Sequence, residues 1–174
     1  MNRDIFLKVY PSMVRSHMEY AVQAWSPQLK KDIDILEKVQ KRATRIVPEL
    51  HGLSYDQRLI ELGLTSLVTR RRRGDLIEVF KIVHGFDDLE RSKFFKFEWE
   101  VHSYNTRGHN FQIKSKFGSR TLRQGFFDIR VIEHWNSLPW KVVNCQSISS
   151  FKRALDGLLA VSYTHLRAHE TTSH

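Results

Sequence analysis

The sequence predicts a mainly α-helical fold with a small β-hairpin in its second half. Apolar residues recur at helical spacing over most of the 174 residues. The stretch "FFKFEWEVH" at residues 94–102 departs from this, because its apolar and polar residues alternate with the period of two that is typical of a half-buried strand. With 41% hydrophobic residues, the chain has enough apolar side chains for a buried core.

The first two helical segments are predicted from apolar spacing. Residues 3–24 form two helical pieces or one kinked helix, because Pro11 interrupts the pattern. A further helix begins at Asp32 and is stopped by Pro48. Its apolar positions are Ile35, Leu36, Val39, Ala43, Ile46 and Val47. The lysines and arginines of this segment fall on the other faces, which predicts a helix with a basic flank.

Capping signals define the next two helices. Residues 54–57, "SYDQ", have capping-box spacing and open a short helix, with Gly63 placed to end it. A longer helix follows at once, with Ser66 or Thr65 as N-cap and Gly85 as the residue after its C-terminus.

This longer helix contains "TRRRRGD", in which Arg70 to Arg73 are consecutive. Because an α-helix turns about 100° per residue, the four arginines fan across about 300° of its circumference. They therefore cannot share one solvated face, and at least one projects along the core-facing side. We expect that arginine to contact Asp75 or another carboxylate, while its neighbours point toward phosphate.

The second half is predicted to contain the hairpin and two more helical segments. The strand that includes Phe97 and Trp99 pairs with a weaker alternation at residues 111–117, through a turn containing Asn105 and Gly108. A helix then ends before Pro139, and the last helix begins at Ser147 or Ser149.

The tryptophans are assigned to packing rather than to binding. Trp25, Trp135 and Trp140 lie in helical apolar patterns or beside a helix-ending proline, so we expect core or packing anchors. Trp99 alternates with Phe97 on the predicted strand, which also favours the core over base stacking.

Charge narrows the class of partner. The chain has 28 Lys and Arg against 19 Asp and Glu, a formal net charge of +9, which favours a polyanionic partner such as nucleic acid. No apolar run reaches the roughly 18 residues of a membrane span, and the N-terminus has no signal-peptide core. We expect an intracellular protein, cytoplasmic and/or nuclear, that is not secreted and has no membrane partner.

Cys145 is the only cysteine and is expected to be a small buried hydrophobe.

Five segments in a fixed order resemble a known family. They are "RSHMEYAVQAWSPQLKKDIDILEKVQKRATRIV", "LSYDQRLIELGLTSLVTRRRRGDLIEVFKIVHG", "TRGH", "FFDIRVIEHWNSLP" and "SISSFKRALD". Together they resemble the C-terminal region of reverse transcriptases of non-LTR (LINE-type) retrotransposons, of the jockey-like and chicken-repeat-like groups. The resemblance covers nearly all of residues 3–157, although Ser16 stands where the family often has proline.

The resemblance implies an RNA-directed DNA polymerase as the parent. In that family this region follows the catalytic palm, forms thumb-like helices and a C-terminal extension, and lies near the RNA template and DNA primer. The implied domains are a helical thumb-like region at residues 1–92 and a β-hairpin with C-terminal helices at residues 93–160. The intact polymerase uses magnesium, and usually carries an N-terminal endonuclease domain.

The catalytic part of the family is expected to be missing from this chain. Polymerase chemistry needs carboxylates that hold two metal ions, and one pair lies in a [YF]-x-D-D hairpin. Asp87 and Asp88 are adjacent, but Gly85 takes the aromatic position and the flanks are a helix end and a loop. The resemblance therefore implies a truncated fragment with no catalytic residue, no cofactor and no enzymatic activity of its own.

The candidate binding residues are basic. Phosphate contact is predicted for Arg70, Arg71, Arg72 and Arg73 and for Lys38, Lys41, Arg42 and Arg45, and contact with a phosphate or a base edge for Arg107 and His109 of "TRGH". The structural alternatives are a solvated basic face and a glycine turn. As a whole the chain is either a nucleic-acid-binding fragment or an inert or protein-interacting helical fragment with a solvated basic surface.

The last segment, residues 161–174, resembles nothing in the family and is predicted to be a non-native tail. A zinc site is the alternative, because His165 and His169 are four residues apart and His174 follows. The histidine pair has no supporting cysteine or carboxylate, so the non-native tail is preferred and no metal site is assigned.

Overall fold

The computed structural model describes residues 1–101, 109–115 and 121–170, with side chains not described at 101, 121–122 and 161–170. The mainly α-helical fold is confirmed. The chain divides into two compact units, the first unit Met1–Gly74 and the second unit Asp75–His174. The domain boundary after residue 92 stays a prediction.

The first unit is built from short helices followed by two longer ones. Its elements are α1 (Arg3–Val9), a π-helix (Tyr10–Arg15), α2 (Ser16–Glu19), α3 (Val22–Trp25), α4 (Lys30–Thr44), a 3₁₀ turn (Pro48–Leu50), α5 (Tyr55–Glu61) and the start of α6 (Leu67–His84). The predicted interruption at Pro11 is present, since the proline lies in the first turn of the π-helix, where its missing N–H is tolerated. The core cluster of this unit comprises Phe6, Tyr10, Val47, Leu50 and Leu62.

The predicted capping signals are present at both helix ends of α5. Ser54 accepts from the Gln57 backbone N–H, and the Gln57 side chain accepts from the Ser54 backbone N–H, which forms the capping box. Gly63 follows α5 with a φ of 60°, and Gly85 follows α6 with a φ of 69°. Both glycines therefore take the left-handed conformation predicted for residues after a helix C-terminus.

The second unit packs the rest of α6 with α7 (Arg91–Phe94), α8 (Glu98–Val101), α9 (Thr121–Gln124), α10 (Phe127–Arg130), α11 (Ile132–Asn136), α12 (Trp140–Val143) and α13 (Ile148–Glu170). Its core is rich in aromatic residues, with Phe80, Phe95, Phe97, Trp135 and Phe151 at most 1% exposed. Phe80 and Phe151 stack with ring centroids 4.2 Å apart.

The predicted β-hairpin is not confirmed. Within the described residues, extended pairing is limited to one antiparallel bridge between Phe97 and Ile113. Residues 98–101, predicted to continue the strand, form the single turn α8 instead, and Glu100 accepts from the Phe97 backbone N–H. A side-chain acceptor at that position favours a helical turn over a strand, since it satisfies one of the free N–H groups at the turn. The predicted turn at Asn105 and Gly108 lies outside the described residues.

Candidate nucleic-acid interface

A buried hydrogen-bond network orients α4. Gln40 is fully buried; its amide oxygen accepts from the Tyr10 hydroxyl at 2.7 Å, and its Nε2 donates to the Tyr55 hydroxyl and to the Thr65 carbonyl, each at 3.0 Å. The Tyr55 hydroxyl in turn donates to the Glu37 carboxylate. Burial raises the pKa of both phenols, and the hydrogen bond to Glu37 raises that of Tyr55 further. Gln40 therefore marks the inward side of α4.

This orientation differs from the predicted one. Ile35, Val39 and Ile46 were expected to face the core, but they are 57%, 43% and 51% exposed. The inward positions are instead Gln40 and Thr44, with Leu36 and Ala43 half-buried. Gln40 and Thr44 each have a hydrogen-bond partner, and this offsets the desolvation cost that makes polar residues rare inside proteins.

The outer side of α4 and its C-cap is basic, as predicted. Lys38, Lys41, Arg42 and Arg45 are all exposed. In the part of the chain that the structure describes, no carboxylate lies within ion-pair distance of any of the four; Lys41 lies over the Tyr55 ring, 5.9 Å from its centroid. We call these four residues the α4 basic face.

Lys31 belongs to the same side and was missed in the sequence. It is exposed and precedes Lys38 by seven residues and Arg45 by fourteen, so the three align along the helix. The heptad spacing of these cations was the available signal. Asp34, also exposed, lies on this side as well and slightly lowers its net charge.

The four consecutive arginines Arg70 to Arg73, which we call the arginine quartet, differ in burial and in their partners. Arg70 binds Glu19 through Nε and through Nη2, the latter at 2.8 Å from Oε2. Arg15 approaches the same carboxylate, with Nε 3.5 Å from Oε1. Burial lowers the pKa of Arg15 below its usual value, and the neighbouring Arg70 charge lowers it further. Two guanidinium groups thus share one carboxylate on the first unit.

The inward arginine of the quartet is Arg71, which is 4% exposed, whereas Arg72 is exposed and Arg73 is half-buried. The second-unit carboxylate Asp75 is bound by Arg130, whose Nε and Nη2 lie 3.0 and 2.9 Å from its two oxygens. The prediction that one arginine projects inward is therefore confirmed. Only Arg72 of the four is fully available to a phosphate from solvent.

The two residues predicted in "TRGH" are Arg107 and His109. Arg107 lies outside the described residues. His109 belongs to the second unit and is 6% exposed, with Nε2 3.3 Å from the Trp135 carbonyl oxygen. Burial lowers the pKa of His109, and the hydrogen bond to the Trp135 carbonyl partly opposes this. The burial of His109 argues against the phosphate contact predicted for it, because a buried ring is not presented to a phosphate in solvent.

The two adjacent aspartates, Asp87 and Asp88, follow Gly85 after the end of α6. Asp87, one of the two adjacent aspartates, lies 3.7 Å from the Lys81 ammonium at the end of α6. Among the described residues there is no group of three histidine, cysteine or acidic side chains arranged to hold a metal ion.

Among the described helices none is both long and apolar enough for a membrane span. The tail histidines lie where side chains are not described or beyond residue 170.

Comparison of the chain with protein-family models, with curated proteins and with solved structures finds no match. The resemblance to retrotransposon reverse transcriptases therefore stays a prediction.

Proposed function

We propose that the chain binds nucleic acid through phosphate contacts on the α4 basic face and has no polymerase activity of its own. The observation that carries the proposal is the exposure of Lys38, Lys41, Arg42 and Arg45 without an ion-paired carboxylate among the described residues. Cations without an acidic neighbour attract a phosphate backbone more strongly than paired cations do, because no nearby negative charge offsets theirs.

The spacing of the cations supports this proposal. From Lys31 to Arg45 the rise of an α-helix amounts to roughly 21 Å, along which a nucleic-acid strand presents several phosphates. Lysine and arginine contacts to phosphate position a nucleic acid without reading its sequence. The expected binding is therefore strong at low salt and largely independent of sequence.

The test is the salt dependence of binding to a DNA or RNA duplex. Replacing Lys38, Lys41, Arg42 and Arg45 by glutamine removes four positive charges, and each lost phosphate contact lowers the slope of log K against log salt by about 0.9 for B-DNA. The matched control changes Lys8, Lys152, Arg123 and Arg153 to glutamine, because these residues are exposed, lie off the α4 basic face and have the same two-lysine, two-arginine composition. Equal weakening by both variants would make the effect one of net charge and would remove the face from the proposal.

We further propose that the parent protein is the non-LTR retrotransposon reverse transcriptase that the five segments resemble, with magnesium serving its palm and with template and primer as the bound nucleic acid. The assignment rests on the five segments and on their fixed order along the sequence. Reading the genomic locus upstream of Met1 tests it: an in-frame [YF]-x-D-D between strands supports the assignment, and its absence contradicts it.

A protein-binding role is the second candidate. It is favoured by Ile35, Val39 and Ile46, which lie exposed beside the α4 basic face. Exposed aliphatic side chains gain little from a phosphate backbone but pack well in a protein interface. Binding of a protein partner that is insensitive to salt concentration, and that is lost when Ile35 and Val39 are replaced by serine, would favour this candidate.

A further inference from the structure

Two tryptophans of the second unit lie at the surface rather than in the core. Trp99 is 55% exposed and Trp140 is 45% exposed, whereas Trp135 of the same unit is fully buried. Exposing large aromatic rings forgoes the burial that tryptophan usually gains in a folded protein. The packing predicted for Trp99 and Trp140 is thus only half realised.

Each exposed ring is held parallel to a phenylalanine behind it. Trp99 stacks on Phe97 with centroids 6.0 Å apart and planes within 10°, and Trp140 stacks on Phe111 at 6.2 Å and 13°. Phe97 and Phe111 contact each other edge to face, with centroids 6.3 Å apart. One group of four rings therefore fixes both tryptophan planes, and the outer part of each indole remains in solvent.

Three lysines, Lys96, Lys114 and Lys141, lie on the segments that carry these rings. Lys141 follows Trp140 and is exposed; Lys96 is exposed and pairs with Lys114, whose backbone N–H donates to the Lys96 carbonyl at 2.7 Å. Because Phe97 and Ile113 form the bridge and face the core, their neighbours Lys96 and Lys114 project away from the core.

The acidic residues near Trp99 are partly neutralised. Glu100 lies 3.4 Å from Arg91, whose guanidinium also covers the Phe97 ring at 4.7 Å from its centroid. Glu98 is half-buried. Among the described residues no carboxylate lies within ion-pair distance of Lys96, Lys114 or Lys141, so their charges are available to a polyanion.

From this arrangement we propose that the second unit binds single-stranded nucleic acid by stacking unpaired bases on Trp99 and Trp140, with Lys96, Lys114 and Lys141 contacting the strand's phosphates. Flat rings with cations beside them are what sequence-tolerant binding of single strands requires, because every base has a π-face. A duplex keeps its bases stacked internally and offers nothing to these rings. The site lies on different elements from the α4 basic face and deepens the proposed function, on which it rests.

The first experiment uses the unchanged protein and three probes: an oligothymidylate, an abasic oligonucleotide of the same length, and a duplex. Stacking predicts that the abasic strand binds on the order of tenfold or more weakly than oligothymidylate, and that only oligothymidylate quenches tryptophan fluorescence. Equal affinity for the abasic strand and oligothymidylate would overturn the inference while leaving phosphate binding, and so the proposed function, intact. Failure of all three probes to bind would overturn both.

Variants then locate the effect. Trp99→Leu and Trp140→Leu should each weaken oligothymidylate binding on the order of tenfold and leave duplex binding unchanged, while Trp99→Tyr and Trp140→Tyr retain most of it because a flat ring remains. Trp25→Leu is the matched control, since Trp25 is 42% exposed and belongs to the first unit. Unchanged oligothymidylate binding by both leucine variants would overturn the inference. If the two leucine variants lose binding to a protein partner but keep full binding to single strands, the inference is also overturned and this surface is a protein interface.

Discussion

Arg130 binds both carboxylate oxygens of Asp75, across 55 residues of sequence, with the two side chains only 16% and 10% exposed. The same guanidinium donates through Nη1 to the Gly125 carbonyl at 2.8 Å and covers the Phe127 ring. A bidentate pair with further partners holds its geometry well, and it ties α6 to α10 within the second unit.

Breaking this pair should destabilise the second unit. Asp75→Asn or Arg130→Gln alone is expected to lower the free energy of unfolding by roughly 3 kcal/mol, because each removes the bidentate ion pair from a largely buried charge. The double variant Asp75→Asn with Arg130→Gln should cost less than the sum of the two single changes. Urea unfolding of the four proteins measures the coupling. Additive losses would show that the two residues do not stabilise one another.

Removing the amide at the centre of the α4 network should destabilise the first unit. Gln40→Leu is expected to lower the free energy of unfolding by about 2 kcal/mol, since the Tyr10 hydroxyl and the Thr65 carbonyl lose their partner in a buried site. Val39→Leu, on the exposed side of the same helix, is the control and should change stability by less than about 0.5 kcal/mol. If both variants unfold at the same urea concentration as the unchanged protein, the orientation assigned to α4 is wrong.

Acid should weaken the second unit through His109, which is buried, and His84, which is half-buried. His84 Nε2 lies 3.0 Å from the Val143 carbonyl oxygen, and burial lowers the pKa of His84 and of His109 in the folded state. The unfolded chain then binds protons first as the pH falls below about 6.5, so the stability of the folded state is full above that pH and declines below it.

Urea unfolding followed between neutral and mildly acidic pH tests this dependence. His84→Phe, which retains a ring beside Phe80 and Phe111, should reduce the acid sensitivity without abolishing it, because His109 still titrates. His51 is exposed, and His51→Asn should leave the pH profile unchanged. A profile for His84→Phe that is as steep as that of the unchanged protein would contradict the role of His84.

The carboxylate shared by Arg15 and Arg70 should matter more than the exposed member of the arginine quartet. Glu19→Gln is expected to lower the free energy of unfolding by about 1 to 2 kcal/mol, because two half-buried guanidinium groups lose a common counter-charge. Arg72→Gln should change stability by less than about 0.5 kcal/mol. Thermal unfolding distinguishes them; equal effects would show that Glu19 does not organise this cluster.

The local elements could be predicted from the sequence because their causes are local. The capping box at Ser54, the left-handed Gly63 and Gly85, and the interruption at Pro11 each depend on a few adjacent backbone groups. Fan geometry likewise required one inward arginine, and the structure identifies it as Arg71.

What only the tertiary structure decided is which neighbour each side chain meets. The face that α4 turns inward follows Gln40, because partners 30, 15 and 25 residues away satisfy its amide. Asp75 is held by a residue that no helical spacing relates to it, and residues 98–101 form a turn although their pattern alternates. Periodicity and composition determined the helices and the basic charge of this protein. They did not determine which side of each helix faces the core, because hydrogen-bond satisfaction and ion pairing depend on residues that are distant in the sequence.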